Sequence, residues 1–305
     1  MKRKNIILLT AGLLLLAVTG SLLAGIDKKE EKTFTGITTI ECEFALGNVE
    51  IVKSSDAKVH VEVNYTLDDK YFTPRFSASG KRLNLKEKYD NDYDDEKDGD
   101  VSWILKVPDG VEIDFNTGVG DIKINGCDIE FEGNTGTGSI SITNAKGEYD
   151  INTGTNDIII TDCEGEFSCN TGTGKVLIQG VKGEIKANSG TGKVKAENIT
   201  IVFDGSFNSG IADVTIIGPK GDEFDLTVNS GLGDAVVDLN GMALDGYLEM
   251  KCNVRSGKIV APVTFDTEEI YGKNRSKTLV KTYRDENMKR RFYISTGTGK
   301  AVLKK

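Results

Sequence analysis

The chain has 305 residues, with 38 Lys and Arg against 47 Asp and Glu, a net charge of -9. That balance argues against a grip on the phosphate backbone of nucleic acid, which needs a positive surface, and favours an extracytoplasmic or surface role. Thirty-five glycines against four prolines, with Ile, Val and Leu in short alternating runs, call for β structure with many tight turns.

Lys2, Arg3 and Lys4 precede an uncharged, mostly apolar run from Ile6 to Ile26. At ~1.5 Å per residue a helix of that length spans a bilayer core of ~30 Å, more than the apolar centre of a signal peptide has to do. One N-terminal hydrophobic helix is therefore expected in residues 1–26, crossing the membrane through residues 6–26 with its amino end inside. Leu22, not a small residue, stands two places before Ala24 where an A-x-A cleavage site needs one, so an uncleaved anchor is preferred to a cleaved signal that would release the protein. A lipid-bearing cysteine is not expected, because the first Cys is Cys42, and no Pro sits in an LPxTG signal.

The remainder, 27–305, reads as one β domain. Residues 36–115 look like irregular outer coils, with a degenerate unit FALGNVEIV from Phe44 and a charged insertion, KEKYDNDYDDEKDGD, between RLNL and VSWILKVP. Asp90, Asp92 and Asp94 have the spacing of a calcium loop. Asp95 stands where such a loop needs Gly and Val101 where it needs Glu, so a solvated hairpin tip is expected, with adventitious calcium as the alternative.

Residues 116–265 hold the regular part. Asn116, Asn134, Asn152, Asn170 and Asn188 each open a unit at a constant step of 18, and Asn208, Asn229 and Asn253 follow at looser steps. Self-similarity at a short fixed period means a solenoid whose coils bury their apolar faces by stacking. Positions seven (Ile122, Ile140, Ile158, Val176, Val194) and nine (Ile124, Ile142, Ile160, Ile178) alternate with polar residues, as one inward-facing strand demands. Positions sixteen (Phe131, Tyr149, Phe167, Ile185) and eighteen (Ile151, Cys169, Ala187) do so on a second. Between them lie two turns, one Thr-Gly-Thr-Gly, whose glycines at positions three and five allow positive φ and close coil-to-coil approach.

The fold expected is all-β: a single-stranded parallel β-helix of ~18-residue coils. A left-handed hexapeptide helix needs an aliphatic residue at every sixth position, and Asp121 and Lys175 break that rule, so a right-handed course is preferred. Residues 266–305 add a polar excursion and a closing coil with the last unit, STGTGKAVL, at Ser295.

The strand ending in VPDGVEIDFNTGVGDIKI, the repeated N-T-G-x-G units and the closing YISTGTGKAVL resemble the adhesin-like family of bacterial β-strand-repeat domains of unknown function, over residues 36 to 305. The resemblance implies a parallel β-helix on the outer side of a bacterial membrane, near adhesion or envelope-stress functions. It carries over no catalytic residues.

The candidate residues fall in rows. Asn116, Asn134, Asn152, Asn170 and Asn188 form a structural amide ladder, internal or at the turn edge. Glu130, Glu148, Glu166 and Glu184 at position fifteen stack outward at ~4.8 Å. Like charges in a row destabilise unless paired, and Lys146, Lys182 and Lys186 stand near enough to pair them; a surface for a cation or basic partner is the alternative. Thr135, Thr137, Thr153, Thr155, Thr171 and Thr173 form a T-x-T array suited to sugar hydroxyls, or to local bonding within the turns. All five cysteines, Cys42, Cys127, Cys163, Cys169 and Cys252, are expected as free, buried thiols. His60 is the single histidine, and no zinc site, P-loop, dinucleotide fingerprint or catalytic triad is readable around it. No cofactor and no metal are expected.

The function expected is a non-catalytic extracytoplasmic binding or structural module. Its partner would be a cell-envelope polymer, a glycan or a surface protein. A carbohydrate-active β-helix enzyme and a self-assembling envelope scaffold are the alternatives.

Overall fold

The computed structural model describes residues 28–90, 99–273 and 277–305. The expected N-terminal helix and the acidic residues Asp92 to Asp98 lie outside them. Among the described residues all regular structure is β, and no helix is long and apolar enough to cross a membrane.

Two long, mostly parallel sheets, of 13 and 14 strands, face one another across the core. Each regular coil gives four residues to the thirteen-strand sheet, as in Ile140–Thr143, and eight or so to the other, as in Lys146–Thr153. Successive coils pair in register at the 18-residue step: Asn134 opposes Asn152, and Ile140 opposes Ile158. Thirteen strands at ~4.8 Å make a stack of about 58 Å.

Inward alternation puts positions seven, nine, sixteen and eighteen in the core: Ile122, Ile140, Ile158, Phe131, Tyr149 and Ile151 are each 2% exposed or less. Phe131, Tyr149 and Phe167 stack through neighbouring coils at centroid distances of 6.3 and 5.3 Å. The Tyr149 hydroxyl donates to the Lys146 carbonyl, so its polar end is satisfied inside.

Of the two roles expected for the turn glycines, close coil-to-coil approach holds and positive φ does not. Gly136, Gly138, Gly154 and Gly172 in the Thr-Gly-Thr-Gly turn do not adopt positive φ. They are required by proximity, since a Cβ on Gly138 would sit 1.9 Å from the Gly120 carbonyl oxygen of the coil before. Positive φ belongs to the second turn, at Asn144, Asp162, Gly180 and Asn198 in one row, all residues that tolerate the left-handed region.

The coils are not stacked in chain order. The strands Thr39–Phe44 and Asn48–Lys53 lie directly against the coil of Asn116. The strands Arg82–Tyr89 and Val101–Val107 stack beyond them, although they come between them and Asn116 in sequence. At the far end the last coil, Arg290–Thr296 with Lys300–Lys304, inserts between the coil of Asn229 and the strands Tyr247–Asn253 and Lys258–Val260. So residues 36–115 combine coil strands stacked in parallel with the antiparallel strands Lys58–Tyr65 and Phe72–Ser79, and the last coil in sequence lies inside the stack. Antiparallel strands finish the edges: Lys28–Thr35 and Phe72–Ser79 at one end, Thr278–Tyr283 and Thr267–Tyr271 at the other. A solenoid needs such atypical ends to cover its open edges.

Candidate functional site

The outer face of the fourteen-strand sheet carries the rows singled out in the sequence. The amide ladder is continuous and half-buried: each Asn Nδ2 donates to the Oδ1 of the coil before, at 3.1 Å from Asn134 to Asn116, 3.1 Å from Asn152 to Asn134, 3.0 Å from Asn170 to Asn152 and 2.9 Å from Asn188 to Asn170. Asn208 and Asn229 extend it, and the Ser295 hydroxyl ends it by donating to Asn229. Asn253 is not a rung, because Lys251 is the residue that opposes Ser295.

Alternation runs on through positions one and two, which splits the threonine array. Thr135, Thr153 and Thr171 point inward, 4–5% exposed, and donate to the carbonyls of Gly120, Gly138 and Asn156 in the coil before. They tie turn to turn and present nothing to a ligand. Thr137, Thr155 and Thr173 remain on the surface, with Thr173 donating to the Thr155 carbonyl.

The carboxylate row is longer than the four residues read from the sequence. Glu112 opposes Glu130, and Glu148, Glu166 and Glu184 follow in register. Four residues before Asn208 and Asn229, the same position holds Asp204 and Asp225, which oppose one another. Five acids, Glu112 to Glu184, thus stand in register over about 19 Å, four steps of ~4.8 Å, and Asp204 and Asp225 continue the row beyond a bulge. The row ends on arginine at both sides: Asp225 opposes Arg291, and Glu112 opposes Thr39, which opposes Arg82.

The lysines do not neutralise this row as expected. Lys146 and Lys182 both pair with Glu164, two residues away from the row, and their contacts hold the Glu164 carboxyl below its ordinary range, Lys182 most. Only Lys186 reaches it, 2.7 Å from Glu184. Among the described residues Glu112, Glu130, Glu148 and Glu166 meet no cationic side chain within salt-bridge distance. Asp114, Glu132 and Asp150 flank them on the same face and add negative charge.

A bulge breaks the sheet beside Glu184. Ile201 opposes Gly183 and Gly205 opposes Ile185, so three residues, Val202, Phe203 and Asp204, occupy the place of one. Phe203 is 72% exposed and has φ of 73°, a conformation strained for a bulky side chain. It borders an open cleft of about 560 Å³ shared with the Asp225–Arg291 pair. Arg291 Nε and Nη2 donate to the two oxygens of Asp225 at 2.5 and 2.7 Å, a bidentate contact.

Elsewhere, His60 accepts company the sequence did not reveal. Its Nε2 lies 2.9 Å from Asp56 Oδ1 and its Nδ1 3.0 Å from Thr33 Oγ1, a hydroxyl–imidazole–carboxylate line on the exposed face of the edge strand Lys28–Thr35 and its neighbour Lys58–Tyr65. Asp56 also accepts from the Lys58 amide, and Thr33 and His60 face each other directly across their strands, so the line braces the edge. The five thiols are free and buried. Burial pushes Cys127 up to about 12 and raises Cys42 and Cys169 further, which leaves them protonated and unreactive. Asp121, Asp157 and Asp213 accept from the backbone amides of Ser139, Lys175 and Asp234 in the next coil, which makes them turn braces. No group of three or more His, Cys, Asp or Glu among the described residues is placed to hold a metal.

The family model described as Toastrack DUF4097 matches residues 37–246. No curated protein matches the chain. Among solved structures, a candidate cell adhesion protein from Clostridium sporogenes aligns at 9% identity and TM-score 0.23, over 91% of this chain and 98% of its own. A candidate adhesin from Bacteroides fragilis aligns at 14% identity and TM-score 0.38, over 90% and 98%. A candidate lipid-binding protein from Parabacteroides distasonis aligns at 10% identity and TM-score 0.25, over 91% and 96%.

Proposed function

The chain belongs to the Toastrack DUF4097 family, and from that premise we propose that it is a non-catalytic, extracytoplasmic binding module of a bacterial cell envelope. In this reading residues 6–26 anchor it in the membrane, and a right-handed solenoid presents the outer face of its fourteen-strand sheet to a cell-envelope polymer, a glycan or a surface protein. The observation that carries the reading is the row of seven carboxylates, most of it without a neutralising cation among the described residues. Such a row lowers stability, and a surface kept at the expense of stability is explained by what it meets. Its sign disfavours anionic polymers such as phosphate-rich or uronate chains and favours neutral glycans or basic protein segments.

Against catalysis stand the protonated, buried thiols and the bracing role of His60. The test is retention of the full chain, in lipid nanodiscs, on immobilised neutral glycans, anionic polymers and basic peptides, with release of cleaved product followed in parallel. Retention on a neutral or basic surface, weakened by the triple variant E130Q/E148Q/E166Q and without product, supports the module. Product release that survives purification to homogeneity would establish the enzyme alternative instead.

A further inference from the structure

Resting on that reading of the outer face as a binding surface, we propose that the cleft beside Phe203 is a subsite for one or two neutral pyranose rings of a glycan. The position is marked by the first break in the constant 18-residue step. Between Asn188 and Asn208 the step lengthens from 18 to 20, and the extra residues emerge as a three-for-one bulge on the outer face. Neither apolar residue of the bulge belongs to the buried core: Phe203 is 72% exposed and Val202 37%. The bulge lifts an aromatic ring out of the sheet into solvent and holds it in a backbone conformation that favours glycine. Strain of this kind persists where the surroundings impose it, and it gathers at ligand sites.

The ring shares the cleft with planar, fixed polar groups. Asp225 is locked by two bonds from Arg291, so both side chains are already ordered and lose little freedom when a ligand arrives. Asp204, one residue on from the ring, opposes Asp225 across the strands. Glu223, Glu286 and Lys289 complete the rim, with Lys289 3.9 Å from Glu223. An aromatic face receives the axial C–H groups of a pyranose, while carboxylates accept its hydroxyls and the guanidinium donates to its ring oxygens. The volume of about 560 Å³ falls within the range of small-ligand sites.

Two observations narrow the class. Four carboxylates against two cations line the cleft, which disfavours an anionic sugar. A single prominent ring ringed by charge is too small an apolar core for a protein interface, which buries ~800 Å² a side around several anchors.

The experiment titrates the full chain in lipid nanodiscs with three neutral tetrasaccharides, chitotetraose, cellotetraose and maltotetraose, and with a tetragalacturonate as the anionic counterpart. At least one neutral probe is expected to bind at millimolar concentration or below, and the anionic one is expected to bind more weakly. Phe203→Ala is expected to weaken the neutral probe at least about tenfold, and Phe203→Trp to retain it within about threefold. Unchanged circular dichroism and melting of both variants would show that the fold is intact. A neutral probe bound equally well by Phe203→Ala overturns the subsite and leaves the binding module standing. So does a chain that binds basic peptides and no tetrasaccharide. A chain that binds none of the probes, the basic peptides included, overturns the subsite and the module together.

Discussion

Replacing Glu148 by glutamine should stabilise the protein. Glu148 lies in the middle of the carboxylate row, opposed by Glu130 on one side and Glu166 on the other, and makes no ion pair among the described residues. With strands ~4.8 Å apart and flexible arms that splay the carboxylates to about 6 Å, each neighbour repels it by about 0.7 kcal/mol in water. Screening at physiological salt, with a Debye length of ~8 Å, cuts this to about 0.33 kcal/mol each, so the two neighbours together cost about 0.7 kcal/mol. At ~0.01 M salt the pair costs about 1.1 kcal/mol. Glu148→Gln removes that repulsion while leaving shape and strand pairing alone, and Glu148→Lys reverses it, doubling the gain to about 1.4 kcal/mol at physiological salt. Urea unfolding followed by far-ultraviolet circular dichroism at both salt concentrations measures the gain. The account requires a rise in midpoint that is larger at low salt and larger for lysine than for glutamine. A destabilised glutamine variant, or one whose gain ignores salt, would mean that Glu148 has a partner or that the row does not repel, and the argument from uncompensated charge would fail.

Other perturbations test the scaffold that holds the row. Asn152→Ala breaks the bonds to Asn134 at 3.1 Å and from Asn170 at 3.0 Å, and should lower stability by about 2 kcal/mol, read as a shift in the same unfolding curve. Gly165→Ala places a Cβ 1.9 Å from the Gly147 carbonyl oxygen at φ of 142°, so it should cost at least about 3 kcal/mol and lower the yield of folded protein, checked by thermal melting. The Asp213 carboxyl is held below its ordinary range, first by the Asp234 amide and then by Lys193. Its contribution to stability is therefore present above the unfolded carboxylate pKa and lost as pH falls through the lower folded value; Asp213→Asn should flatten the acid limb of a stability–pH profile below about pH 4.

The periodic core was legible because the 18-residue step and the period-two alternation come from local geometry: Ile140, Ile142, Phe131 and Tyr149 declare their direction from their neighbours alone. The order of the end coils was not, because parallel pairing is non-local. Nothing within Thr39–Phe44 says that it skips Arg82–Tyr89 to reach Glu112. Thr135, Thr153 and Thr171 looked like surface because TGTG reads as turn, yet the strand runs through position two and the alternation, carried one residue further, points them inward. Counting four residues back from every Asn would have added Asp204 and Asp225 to the carboxylate row, and the lengthened step before Asn208 already flagged the bulge. The hydroxyl and carboxylate around His60 had no such signal. Thr33 and His60 are 27 residues apart and meet only through an antiparallel edge pairing.

If the outer face of the fourteen-strand sheet is where the protein meets its partner, binding covers the carboxyl groups of that face. Carbodiimide footprinting of carboxyl groups, read by mass spectrometry on the full chain with and without isolated envelope fragments, tests it most directly. Glu130, Glu148 and Glu166 are expected to lose labelling when fragments are bound, while Glu50, on the exposed side of the thirteen-strand sheet, is labelled as before. Binding that leaves the three glutamates fully labelled, or that protects Glu50 in their place, would contradict it.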